Sequence, residues 1–283
     1  MKNYKNIIIL VAAVFFASCS KDDSSGSGGS GGGSVTPPVS VDPVSGQFQK
    51  RVLIEDYTGS WCGYCPRVAY GIEKVLEQTT KAVPVAIHQQ TSSGYDGFHF
   101  SGADPLKQMI SLTGYPTGML NRTTTWSYPE NSNIAQVKSL TGNNVGLGLA
   151  MNSTVSAGTI NLDVKVKLAN DYSNLKLVVY VLEDNLFSNQ TNYTSFYGGG
   201  SVIANFENDH VLRANLTDIL GDPITESTLA GQTITKTFSV PVPSNVANAS
   251  NMSFVAFVVG NDKKAINVRA SLPGENQAFE QNP

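Results

Sequence analysis

Charge and cysteine are what this 283-residue chain has least of. Charged residues make up 14%, and 19 Lys+Arg set against 22 Asp+Glu leave a net charge of −3. With basic residues scattered, the chain has no electrostatic footprint for nucleic acid, and no nucleic-acid partner is expected. Three cysteines exclude a multiply stapled disulfide scaffold. There is no second Cys-x-x-Cys, and His88 and His99 could join one set only by a coincidence of folding, so no metal and no bound cofactor are expected. What is plentiful is apolar residue: 41% hydrophobic, enough to bury a real core and too much for a disordered chain.

The apolar runs are short. Ile7 to Ala17 is an unbroken stretch of eleven behind Lys2 and Lys5, too short for a membrane span and the right length for a signal-peptide core. It ends in Phe16-Ala17-Ser18-Cys19, which resembles the lipobox of bacterial lipoproteins. That resemblance implies a signal peptide over 1–18 and a lipid on Cys19 that holds the chain to the outer membrane. Ser20-Lys21-Asp22-Asp23 resembles a surface-export signal of Bacteroidetes lipoproteins, and reads equally as the solvated start of a linker. Ser24 to Ser34 is pure Gly and Ser, then Pro37, Pro38 and Pro43 stiffen the chain. Residues 19–47 are therefore a tether with a reach of about 25–30 Å.

With Cys19 set aside, Cys62 and Cys65 stand alone in the folded part. A bridge between residues three apart closes too small a loop to stabilise much, which points to chemistry. Arg51 to Asp56 reads as a buried strand, and from Val68 the apolar positions Val68, Ile72, Val75 and Leu76 fall on one helix face. The pair thus sits where a strand feeds a helix N-terminus, whose unpaired N–H groups and dipole stabilise a thiolate. Cys62 would be the nucleophile and Cys65 the resolving thiol.

Trp61-Cys62-Gly63-Tyr64-Cys65 at such a junction resembles thioredoxin, and two further elements agree. Asp56 lies six residues before Cys62, where that family places a buried proton-relaying acid; Glu55 takes the role if the register shifts by one. Gly114-Tyr115-Pro116-Thr117 resembles the family's Gly-x-Pro-Thr element, implying a cis Pro116 beside the sulfurs. The resemblance implies catalytic roles for Cys62, Cys65, Asp56, Trp61 and Pro116. It also implies substrate contacts from Tyr64, Tyr115, Pro116 and Thr117, with protein thiols and disulfides as partners. Lys81 to His88 reads as a central strand and Asp104 to Thr113 as a short helix, with a polar insert over Thr91 to Ala103. His88 either tunes the site or is a satisfied structural histidine. The Gly-Tyr pair departs from the Gly-Pro of thioredoxin reductants, so oxidant and reductant both remain open.

From about Val145 the texture changes. Ile160 to Leu168 alternates apolar and polar, and Leu175–Leu182, Thr233–Val240, Met252–Val259 and Lys264–Ala270 read as further strands. The expected architecture is an α/β thioredoxin-like domain over 48–143, followed by an all-β, immunoglobulin-like sandwich domain over 144–283. Asp209-His210-Val211-Leu212-Arg213 falls in the long central connection of that sandwich, as a contact or packing loop.

A lipoprotein signal, a WCxxC segment, Gly-Tyr-Pro-Thr and then His-Val-Leu-Arg together resemble the twenty-eight-kilodalton outer membrane protein family of Bacteroidetes. That resemblance covers most of residues 48–283 and names no substrate. Two functions follow: a cell-envelope thiol–disulfide oxidoreductase, or a surface binding and adhesion lipoprotein that uses the fold as a scaffold.

Overall fold

Val52-Leu53-Ile54 runs straight into Glu55 and Asp56, and all five side chains are buried. A strand sends successive side chains to opposite faces, so both faces of the sheet at this point are covered. The computed structural model describes residues 42–283; the signal peptide, Cys19 and the tether up to residue 41 lie outside the described residues.

The elements are β1 (Phe48–Lys50), β2 (Val52–Thr58), α1 (Pro66–Leu76), β3 (Ala82–His88), α2 (Asp104–Met109), β4 (Thr117–Leu120), β5 (Thr124–Thr125), α3 (Ile134–Ser139) and β6 (Gly142–Val145). They continue with β7 (Leu147–Ser156), β8 (Thr159–Leu168), β9 (Lys176–Glu183), β10 (Leu186–Thr191), β11 (Val202–Asn208) and β12 (Val211–Asn215). The last four are β13 (Asp222–Pro223), β14 (Thr233–Pro241), β15 (Met252–Val259) and β16 (Ala265–Ser271).

The principal sheet runs β16-β15-β9-β12-β3-β2-β4-β5, with β13 also on β9. β2 and β3 are parallel in register from Val52↔Ala82 to Thr58↔His88. β12 lies parallel to β3 at Val211↔Ala86 and antiparallel to β9. A three-stranded antiparallel sheet β14-β8-β7, a hairpin β10-β11 and a short pair β1-β6 complete the described residues.

This arrangement overturns the expected α/β thioredoxin-like domain followed by a separate immunoglobulin-like sandwich. The described chain is mostly β, 43% strand against 14% helix, in several sheets. Strands from the two halves share one sheet because β12, expected as a contact or packing loop, inserts between β3 and β9. His210 O accepts the Ala86 N–H at 2.8 Å, and Val211, Leu212 and Arg213 are all buried. The alternating strands read from the sequence do form, but β9, β15 and β16 extend the first sheet instead of building a sandwich of their own.

One face of the large sheet carries a core that crosses both halves: Leu53, Tyr57, Val85 and Ile87 pack with Val178, Tyr180, Val255 and Phe257. The opposite face is covered in two places. Helix α1 lays Val68, Ile72 and Val75 over Val52, Ile54 and Trp126, while β7, β8 and β14 cover Val179, Val181, Phe254 and Val258. Helix α2 stops at Met109, short of the expected Thr113, because Ser111 takes a positive φ of 52° that no helix continues.

Double coverage explains why Glu55 and Asp56 are both buried, although neighbouring strand residues face opposite ways. Glu55 accepts from Arg122 Nε at 3.2 Å; Arg122 also donates to Ile219 O at 2.8 Å and lies 4.5 Å from the Phe257 ring centre. Burial pushes the Glu55 carboxyl up, against the pull of Arg122. Replacing Arg122 by Leu strands that acid without a cation, so stability should fall by about 3–5 kcal/mol, read as a lower denaturant midpoint. A loss too small to measure would contradict this role. A fragment of residues 48–143, whose β3 edge would lose β12, should be unfolded or aggregated by circular dichroism and size-exclusion chromatography.

Candidate functional site

Strand β2 ends at Thr58 and a tight turn delivers Cys62 and Cys65 to the start of α1, where Pro66 takes the first position that needs no N–H partner. The two cysteines are joined as a disulfide, with Cα atoms 5.4 Å apart. Cys62 is 5% exposed and Cys65 2%. Trp61 donates its indole N–H to Gln89 O at 2.8 Å and meets Tyr115 edge-on at 5.6 Å, which brings the turn against the proline loop. Tyr115–Pro116 is cis, as expected, and Thr117 closes that loop by donating its hydroxyl to Gly114 O at 2.8 Å. Gly118 pairs with Asp56, so the proline loop opens a strand directly beside the acid.

Asp56 faces the α1 side of the sheet and lines a cavity of about 130 Å³ with Cys65, Ile72, His88, Gln190 and Phe206. Its Oδ1 has no hydrogen-bond partner. Burial holds its carboxyl well above the usual carboxylate range; the nearby Glu130 adds to this and Arg67 works against it. His88 is engaged elsewhere. Its Nδ1 lies 2.9 Å from Asp96 of the polar insert, and Asp96 also accepts from Ser60 N at 2.7 Å. The insert is thus tied to the cysteine turn through a buried carboxylate.

The feature that the sequence did not expose is the roof. Hairpin β10–β11 folds over the turn, and its backbone pairs with it: Thr191 N–H donates to Ser60 O at 2.9 Å and Tyr193 N–H to Gly63 O at 2.7 Å. Gln190, itself buried, donates to Cys62 O at 2.9 Å. Gly63 is needed for this contact, since a Cβ there would lie 2.2 Å from the Tyr193 ring. The Ser60 and Gly63 carbonyls of the cysteine turn are therefore satisfied from within the chain. Only the Tyr-rich run Tyr193 to Tyr197 hinted at a contact segment.

Beside the roof, Tyr64, Tyr128 and Tyr193 stand 55%, 71% and 65% exposed around one open cleft. Tyr64 meets Tyr193 edge-on at 5.6 Å, and the Arg67 guanidinium lies 4.8 Å from the Tyr128 ring centre. Of the residues expected to touch a substrate, the structure places Tyr64 in this cleft, while Tyr115, Pro116 and Thr117 sit in the proline loop packed on Trp61. Among the described residues no group of three or more His, Cys, Asp or Glu is placed to hold a metal ion, and no helix is long and apolar enough to cross a membrane.

A family profile described as outer membrane protein Omp28 matches residues 103–277. No curated protein matches the chain. Among solved structures, HBP35 of Porphyromonas gingivalis is similar at a TM-score of 0.62 and 20% identity, covering 84% of this chain and 80% of that one; it supports the fold alone. The β-glucosidases of Thermotoga neapolitana and Kluyveromyces marxianus align with TM-scores of 0.23 and 0.21, at 10% and 11% identity. They cover 49% and 58% of this chain and 17% and 20% of theirs, and carry no argument.

Two outcomes check the site. Asp56→Asn removes an acid that is harder to ionise folded than unfolded. In the native protein that acid binds protons more tightly, so its stability penalty sets in as pH rises above the ordinary carboxylate range. The variant should melt higher than the parent at pH 7, and the gap should close near pH 3–4. Gly63→Ala should displace Tyr193 and with it the roof, raising the rate at which tris(2-carboxyethyl)phosphine reduces the disulfide at least tenfold.

Proposed function

The chain belongs to the Omp28 outer membrane protein family and is an outer-membrane protein; from that premise we propose that it works as a lipid-anchored, surface-exposed binding module. One observation supports this above the others. The disulfide is closed, buried and roofed by a hairpin of the same chain, whereas the exposed recognition chemistry lies alongside it in the tyrosine cleft. Exposed aromatic side chains carry binding energy at little conformational cost, and nothing in the fold needs these three rings in water. The disulfide then serves as a local brace: Tyr64 lies between the two cysteines, and the bridge fixes the loop that presents it.

A lipid on Cys19 and the tether behind it hold the folded part to the outer membrane in this proposal. Cells expressing the chain should incorporate labelled palmitate into it, and Cys19→Ala should abolish the label and release the protein from the membrane fraction.

A second reading, thiol–disulfide exchange, draws support from Asp56, which lines the same cavity as Cys65 and favours its protonated form. In that reading a dithiol donor first reduces the Cys62–Cys65 bridge and is itself oxidised; the Cys62 thiolate then attacks a partner's disulfide, releasing one partner thiol, and Cys65 displaces the second as the bridge re-forms. The roof must lift first. The two readings separate in one experiment on the full-length anchored protein. As a binding module, a Cys62→Ser/Cys65→Ser variant keeps surface capture of partners to within about threefold, and a Cys65→Ser variant accumulates no mixed disulfides. Accumulation of such adducts, with capture lost in the double variant, would favour exchange.

A further inference from the structure

Resting on the binding-module reading, we infer that the tyrosine cleft is a carbohydrate site that takes a neutral oligosaccharide. The cleft measures about 350 Å³, inside the ~300–1,000 Å³ usual for small-ligand sites. Its walls come from three separate places in the chain: Tyr64 and Arg67 at the start of α1, Tyr128 and Asn131 around the cis Tyr128–Pro129 bond, and Tyr193 and Ser195 in the segment after β10. Each is anchored. Arg67 is held by Glu130 at 3.1 Å, the backbone of Tyr193 by Gly63, and Trp126 N–H, two residues before Tyr128, donates to Gly118 O at 2.8 Å. The site is preformed.

Three features of the cleft select its ligand. The first is shape and surface: two tyrosine rings at 79° form a corner, and a third, Tyr128, lines the same cleft beside Arg67. A pyranose ring has apolar C–H faces and a rim of hydroxyls, so it stacks on such rings while its rim meets phenol, amide and hydroxyl groups. Asn131, Ser195 and the tyrosine hydroxyls supply those groups. The second is charge. Arg67 is the one ionised residue of the lining, and the buried Glu130 beneath it, 3% exposed, cancels its charge. The cleft therefore has no surplus charge for an acidic sugar, a phosphate or an acidic peptide. The third is the satisfied backbone of the neighbouring turn. An extended peptide docks most readily by adding to free backbone groups, and the two carbonyls of the turn beside this cleft, Ser60 O and Gly63 O, already accept from Thr191 and Tyr193 N–H.

The test uses the full-length chain on an array of neutral glycans that includes cellohexaose, xylohexaose and chitohexaose. Parallel arms carry oligogalacturonate as the anionic probe and a displayed twelve-residue peptide library. At least one neutral oligosaccharide should bind, with its monosaccharide at least tenfold weaker. Tyr64→Ala and Tyr193→Ala should each weaken binding at least tenfold without changing the far-ultraviolet circular dichroism or the melting temperature. Tyr95→Ala, which alters an exposed tyrosine outside the cleft, should leave it unchanged. Binding confined to the anionic or peptide arm, or glycan binding that survives both cleft substitutions, overturns the proposal. Tyrosine-dependent peptide binding would do so while leaving the binding-module reading intact. No binding in any arm overturns the glycan site and counts against the module together.

Discussion

One strand pairing governs the molecule: β12 against β3 on one side and β9 on the other. A parallel contact through Val211 and Ala86 is a small interaction in itself, yet it converts two potential sheets into one. The sheet then has to be covered on both faces along its length. Helix α1 and the β7-β8-β14 layer divide one face between them, and the polar insert and α2 close the other. The buried acids follow from this. Glu55 and Asp56 sit on opposite faces of one strand, both covered, so one is held by Arg122 and burial raises the carboxyl of the other.

The same pairing positions the roof. Hairpin β10–β11 lies between β9 and β12 in sequence, so fixing those two strands places the hairpin over the turn that carries the cysteines. Its backbone takes up the carbonyls of Ser60 and Gly63, and the absence of a side chain on Gly63 allows the approach. The tyrosine cleft is a by-product of this closure, since one wall is the loop that joins β10 to β11. Closure of the sulfurs and construction of the open site are one event.

Much of this was legible in the chain. Strict alternation over 160–168 gave a strand within one residue of that observed, because period-two burial leaves a clear pattern, and the apolar run 252–259, buried at every position, coincides with β15. Helix α1 and the cis bond at Pro116 were readable from apolar spacing and from the Gly-Tyr-Pro-Thr resemblance. Val211-Leu212-Arg213 was not. Three buried residues carry no period, and the strand exists only because edges at β3 and β9 await it, a tertiary fact. The cleft was legible in part: Tyr64 stood out between the cysteines, but Tyr128 and Tyr193 lie 64 and 129 residues further on. No local rule links them. Separate domains were inferred from a change of texture near residue 145, and texture reports which strands are half-exposed, not which sheet they join.

The roof also imposes an order of events on biogenesis. An exported chain emerges N-terminus first, so Cys62 and Cys65 reach the oxidising side of the membrane while residues 186–208 are still inside the cell. During that interval the sulfurs are open to the oxidation machinery; once the hairpin docks they are sealed at 5% and 2% exposure. Translocation speed thereby sets the window in which the bridge can be made, and a molecule that folds before it is oxidised would be locked as a dithiol beneath its own cover.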